Sequence, residues 1–349
     1  MIGHIAYALG SPCPTLVLDA SHLPRERSAL LDAVAQARGW LYRAGGEHIL
    51  KTALVERSEH PLFDLDYRFI QGLPDGPSRF DLLGSCGHSI LASVVAGAHS
   101  GMLAKLGPGV RNRVNILNNG DHIVCEVDEV LRDTVSFTMH FIHTPPKPLA
   151  SLLMAGEPRT VLSVRGAEIP VSLVSAGNPY VFVDAASVSV SSQAELFAGG
   201  PELYDRLQEI RSAAATYLGS PPDSVFPKIA VIMPVDTGRV AVRAISVPSW
   251  HPTLALTGAA CLGAAASIVG TIPWFAVNQA GIRPGGQIDI DTPGGATAVR
   301  ATTHISDGEH SLAWLSISHK QVSFHGSFFI EPLAHFQFKE VRECLSLSA

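Results

Sequence analysis

Two short passages of this chain resemble each other across its halves, and both look like anion-binding turns. The first is Asp81-Leu82-Leu83-Gly84-Ser85-Cys86-Gly87-His88-Ser89, running into Ile90–Gly97. The second is Leu254-Ala255-Leu256-Thr257-Gly258-Ala259-Ala260, running into Cys261–Gly270. Each is a small turn bearing Gly and Ser or Thr that opens an apolar helix, and free N–H groups at a helix start bind carboxylates or phosphates. A second echo precedes each: Gly10-Ser11-Pro12-Cys13-Pro14-Thr15 through Asp19 recurs loosely as Gly177-Asn178-Pro179-Tyr180 through Asp184. The echoes keep their order and are about half the chain apart. This predicts a duplicated fold with one active site between the halves.

A chain of 349 residues has room for two domains. With 46% hydrophobic and 16% charged residues it can bury a large core. A net charge of −6 without a basic block argues against nucleic-acid binding. Five scattered cysteines (Cys13, Cys86, Cys125, Cys261, Cys344) form no CxxC pair, which argues against a zinc ribbon or disulfide framework and fits a reducing cytoplasm. Met1-Ile2-Gly3-His4 lacks the basic region and cleavage site of a signal peptide. No charged residue lies between Arg243 and Arg283, long enough for a membrane helix. Pro252 and Pro273 bracket the stretch and its middle is Ala, Gly, Ser and Thr, so a buried helix of small residues is expected, not a membrane span.

Ile5–Asp19 and Lys51–Val55 read as strands around a helix over Ser28–Arg38, followed by a strand at Asp66–Gln71. Asn118-Asn119-Gly120-Asp121 between Val114–Leu117 and His122–Val127 is a strong hairpin signal. Val135–Ile142 alternates as a strand, and Pro145-Pro146-Lys147-Pro148 is expected to break the chain. Strands follow at Val161–Val164, Pro170–Val174 and Tyr180–Asp184. A helix over Pro201–Leu218 then presents Leu203, Leu207, Ile210, Ala214 and Leu218 on one face. Further strands are expected at Lys228–Met233, Val240–Ile245, Gln287–Asp291, Thr297–Ile305, Leu312–Ser318 and Gln321–Ile330.

The residues Ile169-Pro170-Val171-Ser172-Leu173-Val174-Ser175-Ala176-Gly177-Asn178-Pro179-Tyr180-Val181-Phe182-Val183, the Ser85-Cys86-Gly87 turn and Leu256-Thr257-Gly258-Ala259 resemble the PrpF family of aconitate and methylaconitate isomerases, relatives of diaminopimelate epimerase. Looser matches are Pro227-Lys228-Ile229-Ala230 and Ile290-Asp291-Thr292-Pro293-Gly294-Gly295, and the likeness covers nearly the whole chain. The resemblance implies an α+β fold of two pseudo-symmetric domains, residues 1–165 and 166–349, with the last strands free to return to the first. Each would be a curved, mostly antiparallel sheet wrapped around a central helix, as in diaminopimelate epimerase. It implies a double-bond shift in an unsaturated carboxylate without metal or organic cofactor. Lys51 matches the family's base lysine and Cys86 its site cysteine. The chain departs from the family at Gly10-Ser11-Pro12-Cys13-Pro14-Thr15, where Gly-Gly-Thr-Ser-Lys-Gly is usual, at Gly294, where a serine is usual, and at His88, where Asn is usual. Two prolines remove two backbone donors, which favours a less charged substrate. The alternative is a family member recruited to natural-product isomerisation or cyclisation.

The expected catalytic pair is Lys51 and Cys86, and Ser11, Cys13, Ser85, Gly87, His88, Asn178, Thr257 and Gly258 are the expected substrate-binding residues. A thiol just before a helix start sees the positive end of the helix dipole, which favours the thiolate. Lys51 opens an apolar strand, where it either snorkels or, desolvated, serves as a base. Asn178 is either a turn former or a carboxylate donor. Cys261 reads as core. A two-thiol epimerase would need a second cysteine where Thr257 stands. His140 and His143 face opposite ways on a strand, so no metal site is expected. The expected partner is a small-molecule substrate, not a membrane or nucleic acid, and the assembly that the reading allows is a homodimer.

Overall fold

The computed structural model describes residues 1–73, 76–236, 238–246, 249–306 and 308–337. By their mutual contacts these residues fall into two compact units. The first comprises Met1–Leu9, Cys13–Phe137 and the described part of Gln321–Ala349; the second comprises Gly10–Pro12 and Thr138–Lys320. Cys344 lies outside the described residues.

In the first unit β1 (Ile2–Ala8), β2 (Thr15–Asp19), α1 (Arg27–Arg43), β3 (Lys51–Arg57), β4 (Leu65–Gly72), β5 (Phe80–Asp81), α2 (Gly87–His99), β6 (Arg111–Ile116) and β7 (His122–Leu131) follow one another. β1 pairs antiparallel with β2, β2 parallel with β3, β3 antiparallel with β4, β4 parallel with β6, and β6 antiparallel with β7. The expected stretch Ile5–Asp19 is thus two strands with the Gly10–Pro14 loop between them. Residues Thr15–Leu18 are all buried because β2 is covered on both faces. Leu16 and Leu18 join Leu54, Ile70 and the α1 residues Val34, Ala37 and Leu41 in one core. Thr15, of opposite parity, meets α2, whose residues Gly87–Gly97 are buried throughout. That burial explains why α2 carries no charge: a charged side chain there would have no water and no partner. The Asn118–Asp121 hairpin forms as expected, with Asn115 opposite His122.

β8 (Thr134–Pro148) starts in the first unit and ends in the second. It runs through Pro145, Pro146 and Pro148 instead of stopping before them. Residues Thr144–Lys147 are exposed, and prolines are tolerated in a strand where no ladder N–H is required. The second unit continues with β9 (Thr160–Val164), β10 (Ala167–Ala176), β11 (Asn178–Asp184), α3 (Gln193–Ala198), α4 (Pro201–Tyr217), β12 (Lys228–Asp236), β13 (Arg239–Ser246), β14 (Ser249–Trp250), α5 (Leu256–Ala266), α6 (Ile272–Gln279), β15 (Ile288–Thr292) and β16 (Gly295–Ser306). The last strand, β17 (Glu309–Phe329), passes back to the first unit, where α7 (Ala334–Gln337) follows. Its length merges two expected strands, with His319 in a left-handed conformation at their junction.

The pairings of the second unit repeat the order of the first. β10–β11 is antiparallel, β11–β12 parallel, β12–β13 antiparallel, β13–β15 parallel and β15–β16 antiparallel. Leu207, Ile210 and Ala214 of α4 pack on Val171, Val181, Val183, Ile229 and Val231, with Leu203 and Leu218 at the margin of the same core. α5 is buried from Leu256 to Ala265. The uncharged stretch from Arg243 to Arg283 therefore holds two short helices, α5 and α6, and no described helix is long and apolar enough to cross a membrane.

The opening of α5 is packed too closely for a larger residue at Gly258. A Cβ there would lie 2.5 Å from Tyr180 Oη and 2.9 Å from Leu254 Cδ1, and both neighbours are fully buried. Ala is the better helix former by about 1 kcal/mol, but overpacking a filled core costs about 1–3 kcal/mol. Gly258→Ala is therefore expected to lower the melting temperature by several degrees in a thermal denaturation scan. A temperature equal to or above that of the parent contradicts this packing account.

Candidate active site

In the first unit, the parallel register of β2 and β3 sets Thr15 beside Lys51. Lys51 is only 5% exposed, so its stem lies inside while its ammonium must be satisfied within the site. Cys13, two residues before β2, lies close enough to Lys51 and Cys86 for both charges to act on its thiol. Burial pushes the Cys13 thiol up; the Lys51 ammonium and backbone bonds from Leu50 and Lys51 oppose that shift, and the Cys86 charge adds to it. Three chemically active side chains, at positions 13, 51 and 86, thus share one environment. Cys13 is thus near both members of the expected catalytic pair.

Cys86 is the N-cap residue of α2, in extended conformation and without a side-chain capping bond, so its sulfur is not committed to the helix end. It is half-buried, whereas Ser85, Gly87 and His88 are buried. The first bond inside α2 runs from Ile90 N to Cys86 O, 3.0 Å. The amides of Gly87, His88 and Ser89 therefore have no acceptor within the helix. The turn is held from outside by two contacts the sequence did not announce. Thr15 Oγ1 and Ser89 Oγ are 2.9 Å apart, and the Tyr67 hydroxyl donates to Cys86 O at 3.3 Å. Burial and the Cys86 charge push the Tyr67 phenol well above its ordinary value, so it remains a protonated donor. Ser89 at three residues beyond the cap was the one local hint; the Tyr67 contact depends on how β4 lies under α2.

The expected residues of the second unit gather around the start of α5. Asn178 Nδ2 donates to Thr257 Oγ1 at 3.1 Å, and both are buried. The Gly258 amide already donates to Ala255 O at 2.8 Å, so the amides with no acceptor inside the helix are those of Leu256 and Thr257. Gly258 itself serves close packing on Tyr180. Ser11 is buried, and the carbonyl of its neighbour Gly10 accepts from Thr253 Oγ1 at 2.9 Å. The Thr253 amide donates to His251 Nδ1 at 3.1 Å, which places any single ring proton on Nε2. A Cβ on Gly294 would lie 2.6 Å from Pro252 O and 2.9 Å from Thr253 Cγ2, so this turn has no room for a serine. Cys261 donates to Val174 O at 3.3 Å, and complete burial pushes its thiol up to about 12, fitting its reading as core. Among the described residues no group of His, Cys, Asp and Glu is arranged to hold a metal ion.

Residues 43–327 match the family described as PrpF protein. The chain is 27% identical over 324 residues to the 3-methylitaconate isomerase of Eubacterium barkeri, covering 80% of this chain and 83% of the relative. Its fold is similar to the crystal structure of a methylitaconate Δ-isomerase, with a TM-score of 0.67 at 23% identity, covering 94% of this chain and 95% of that one. It is also similar in fold to a hydroxyproline epimerase from Agrobacterium vitis, with a TM-score of 0.62 at 13% identity over 94% and 91% of the two chains.

Proposed function

The chain belongs to the PrpF family and is an isomerase, and from that premise we propose that it shifts a carbon–carbon double bond in an unsaturated carboxylate by proton transfer, without a cofactor. The observation that carries this reading is that Lys51 and Cys86, the N-cap residue of α2, both act on the buried Cys13 thiol. The methylitaconate isomerase relative supports a di-acid with an allylic hydrogen as substrate class.

Lys51 removes the allylic proton. The electron pair moves into the conjugated system and accumulates on a carboxylate as a dienolate. Amides at the start of α2 donate to that developing charge, where each oriented donor contributes about 3–4 kcal/mol. For this Lys51 starts as the neutral amine and Cys86 as the thiol; Cys86 gives its proton to the far carbon of the allyl system, and the proton gained by Lys51 then returns to the thiolate through solvent. We further read the two units as a duplicated, pseudo-symmetric pair, since the order of parallel and antiparallel pairings is the same in each.

Turnover in heavy water is expected to place solvent-derived deuterium at an allylic carbon of product and of recovered substrate. The check is mass spectrometry and proton NMR of a partly converted mixture of methylitaconate. Conversion that leaves both pools unlabelled argues for a shielded or different route and removes Lys51 as an exchanging base.

A further inference from the structure

A chain of buried hydroxyls runs from β2 and β4 to the start of α2. Thr15, Tyr67 and Ser89 are all buried, and all belong to the first unit. Thr15 Oγ1 and Ser89 Oγ are 2.9 Å apart, the Ser89 side chain hydrogen-bonds the Tyr67 phenol, and the Tyr67 hydroxyl donates to Cys86 O at 3.3 Å. The last link sets the order of the protons. A carbonyl only accepts, so the Tyr67 proton points to Cys86 O and the phenol oxygen takes the Ser89 proton. The Ser89 oxygen then accepts from Thr15. Hydrogen bonds that run one way along a chain strengthen one another.

Folding by itself does not call for this chain. Replacing both partners of a buried hydrogen bond by apolar groups of the same shape is close to neutral for stability. Further along α2, Ile90, Leu91, Val94 and Val95 fill the interior, so apolar packing is available to this helix. The hydroxyls stand instead at the end of the helix that carries Cys86.

Cys86 O is the point at which the chain acts. It accepts from Ile90 N at 3.0 Å as well as from Tyr67, so both of its lone pairs are used. The peptide from Cys86 to Gly87 is one rigid plane. Fixing its oxygen therefore fixes the direction of Gly87 N–H, the first amide of α2 and one without an acceptor inside the helix. Donation to that oxygen also polarises the amide and makes its N–H a stronger donor. At the other end of the chain, Thr15 lies beside Lys51 in the parallel register of β2 and β3.

We propose that Tyr67, backed by Ser89 and Thr15, is a positioning residue for the double-bond shift: its hydroxyl aims the Gly87 amide at the charge that develops on the substrate and holds Cys86 at the head of α2. The inference rests on the proton-transfer function proposed above. Tyr67 is fully buried, so it acts through the peptide between Cys86 and Gly87 and not on the substrate itself.

The test is Tyr67→Phe in the full chain, which removes the hydroxyl and keeps the ring. With methylitaconate, kcat is expected to fall about tenfold or more, because a donor to the developing charge is misaimed. KM is expected to change less than about threefold, because ground-state binding is not the target. Thr15→Val keeps the side-chain shape and loses the hydroxyl, so kcat should fall in the same direction; Thr15→Ser keeps the hydroxyl and should recover most of it. A readout independent of turnover is the alkylation of Cys86 by iodoacetamide as a function of pH, followed by peptide mass spectrometry. Cys13 and Tyr67 share charge interactions with Cys86, Lys51 acts on Cys13, and His88 lies in the first turn of α2. The Thr15 variants leave all of these groups in place. In Thr15→Val the alkylation midpoint is expected to move to higher pH, because a less well oriented helix start favours the thiolate less; in Thr15→Ser it should return to that of the parent. Where Tyr67→Phe fails to fold, the two Thr15 variants decide. Parent kcat in folded Tyr67→Phe, or equal kcat in Thr15→Val and Thr15→Ser, overturns the inference and leaves the function standing. A parent enzyme that leaves methylitaconate and cis-aconitate unchanged sinks the function. The alkylation midpoint then decides alone: a shift in Thr15→Val that Thr15→Ser reverses supports the hydroxyl chain, and an equal midpoint in parent and Thr15→Val overturns it.

Discussion

Replacing Lys51 by alanine is expected to reduce kcat for double-bond migration by two to four orders of magnitude, the range that one positioned acid or base contributes. The effect should fall on kcat and kcat/KM together, because the group acts on the transition state and not on ground-state binding. Lys51 lies at the start of β3, with its backbone paired to β2 and β4. Those pairings survive the substitution, so secondary structure by circular dichroism should be unchanged. Exogenous amines such as methylamine are expected to restore part of the rate if the vacated space admits them. A variant retaining more than about a tenth of the parent kcat would remove Lys51 from the proton transfer.

The second large effect is expected at Cys86. Its sulfur makes no capping bond to α2, so Cys86→Ala should leave the helix intact while lowering kcat by about two orders of magnitude or more. Cys13→Ala provides the contrast. That thiol is buried and pushed up, so at neutral pH it stays protonated and shapes the pocket without transferring a proton. Its loss is expected to change kcat less than tenfold, with any larger effect in KM. Single-turnover deuterium exchange separates the cases: Cys86→Ala should still wash out the allylic proton through Lys51 while product formation stalls. Equal kcat losses in the two cysteine variants would contradict the division of roles.

These expectations rest on features that differ in how far they could be read from the residues alone. The Cys86 turn was legible because a helix start announces itself locally: small residues, then an unbroken apolar run whose lack of charge demands burial. The same holds for α5, the Asn118–Asp121 hairpin and the buried face of α4. β8 misled, because prolines normally end a strand, and here Pro145 and Pro146 occupy exposed positions, where a strand tolerates them. α6 was hidden within the uncharged stretch that also contains α5.

Local chemistry thus determined where the two apolar helices begin, which turn carries the cysteine, and that Lys51 heads a strand. The tertiary structure alone decided which distant residues meet within each unit. Cys13 joins Lys51 and Cys86 because β2 and β3 pair in parallel with Thr15 opposite Lys51, and a register between strands is not written in either strand's own pattern. Thr15 meets Ser89, and Asn178 meets Thr257, only once each central helix is seated on its sheet. Lys320 sits inside because one left-handed residue, His319, shifts the phase of β17. A period of two predicts the opposite face, and only the folded ladder on both sides of that residue can hold the exception in place.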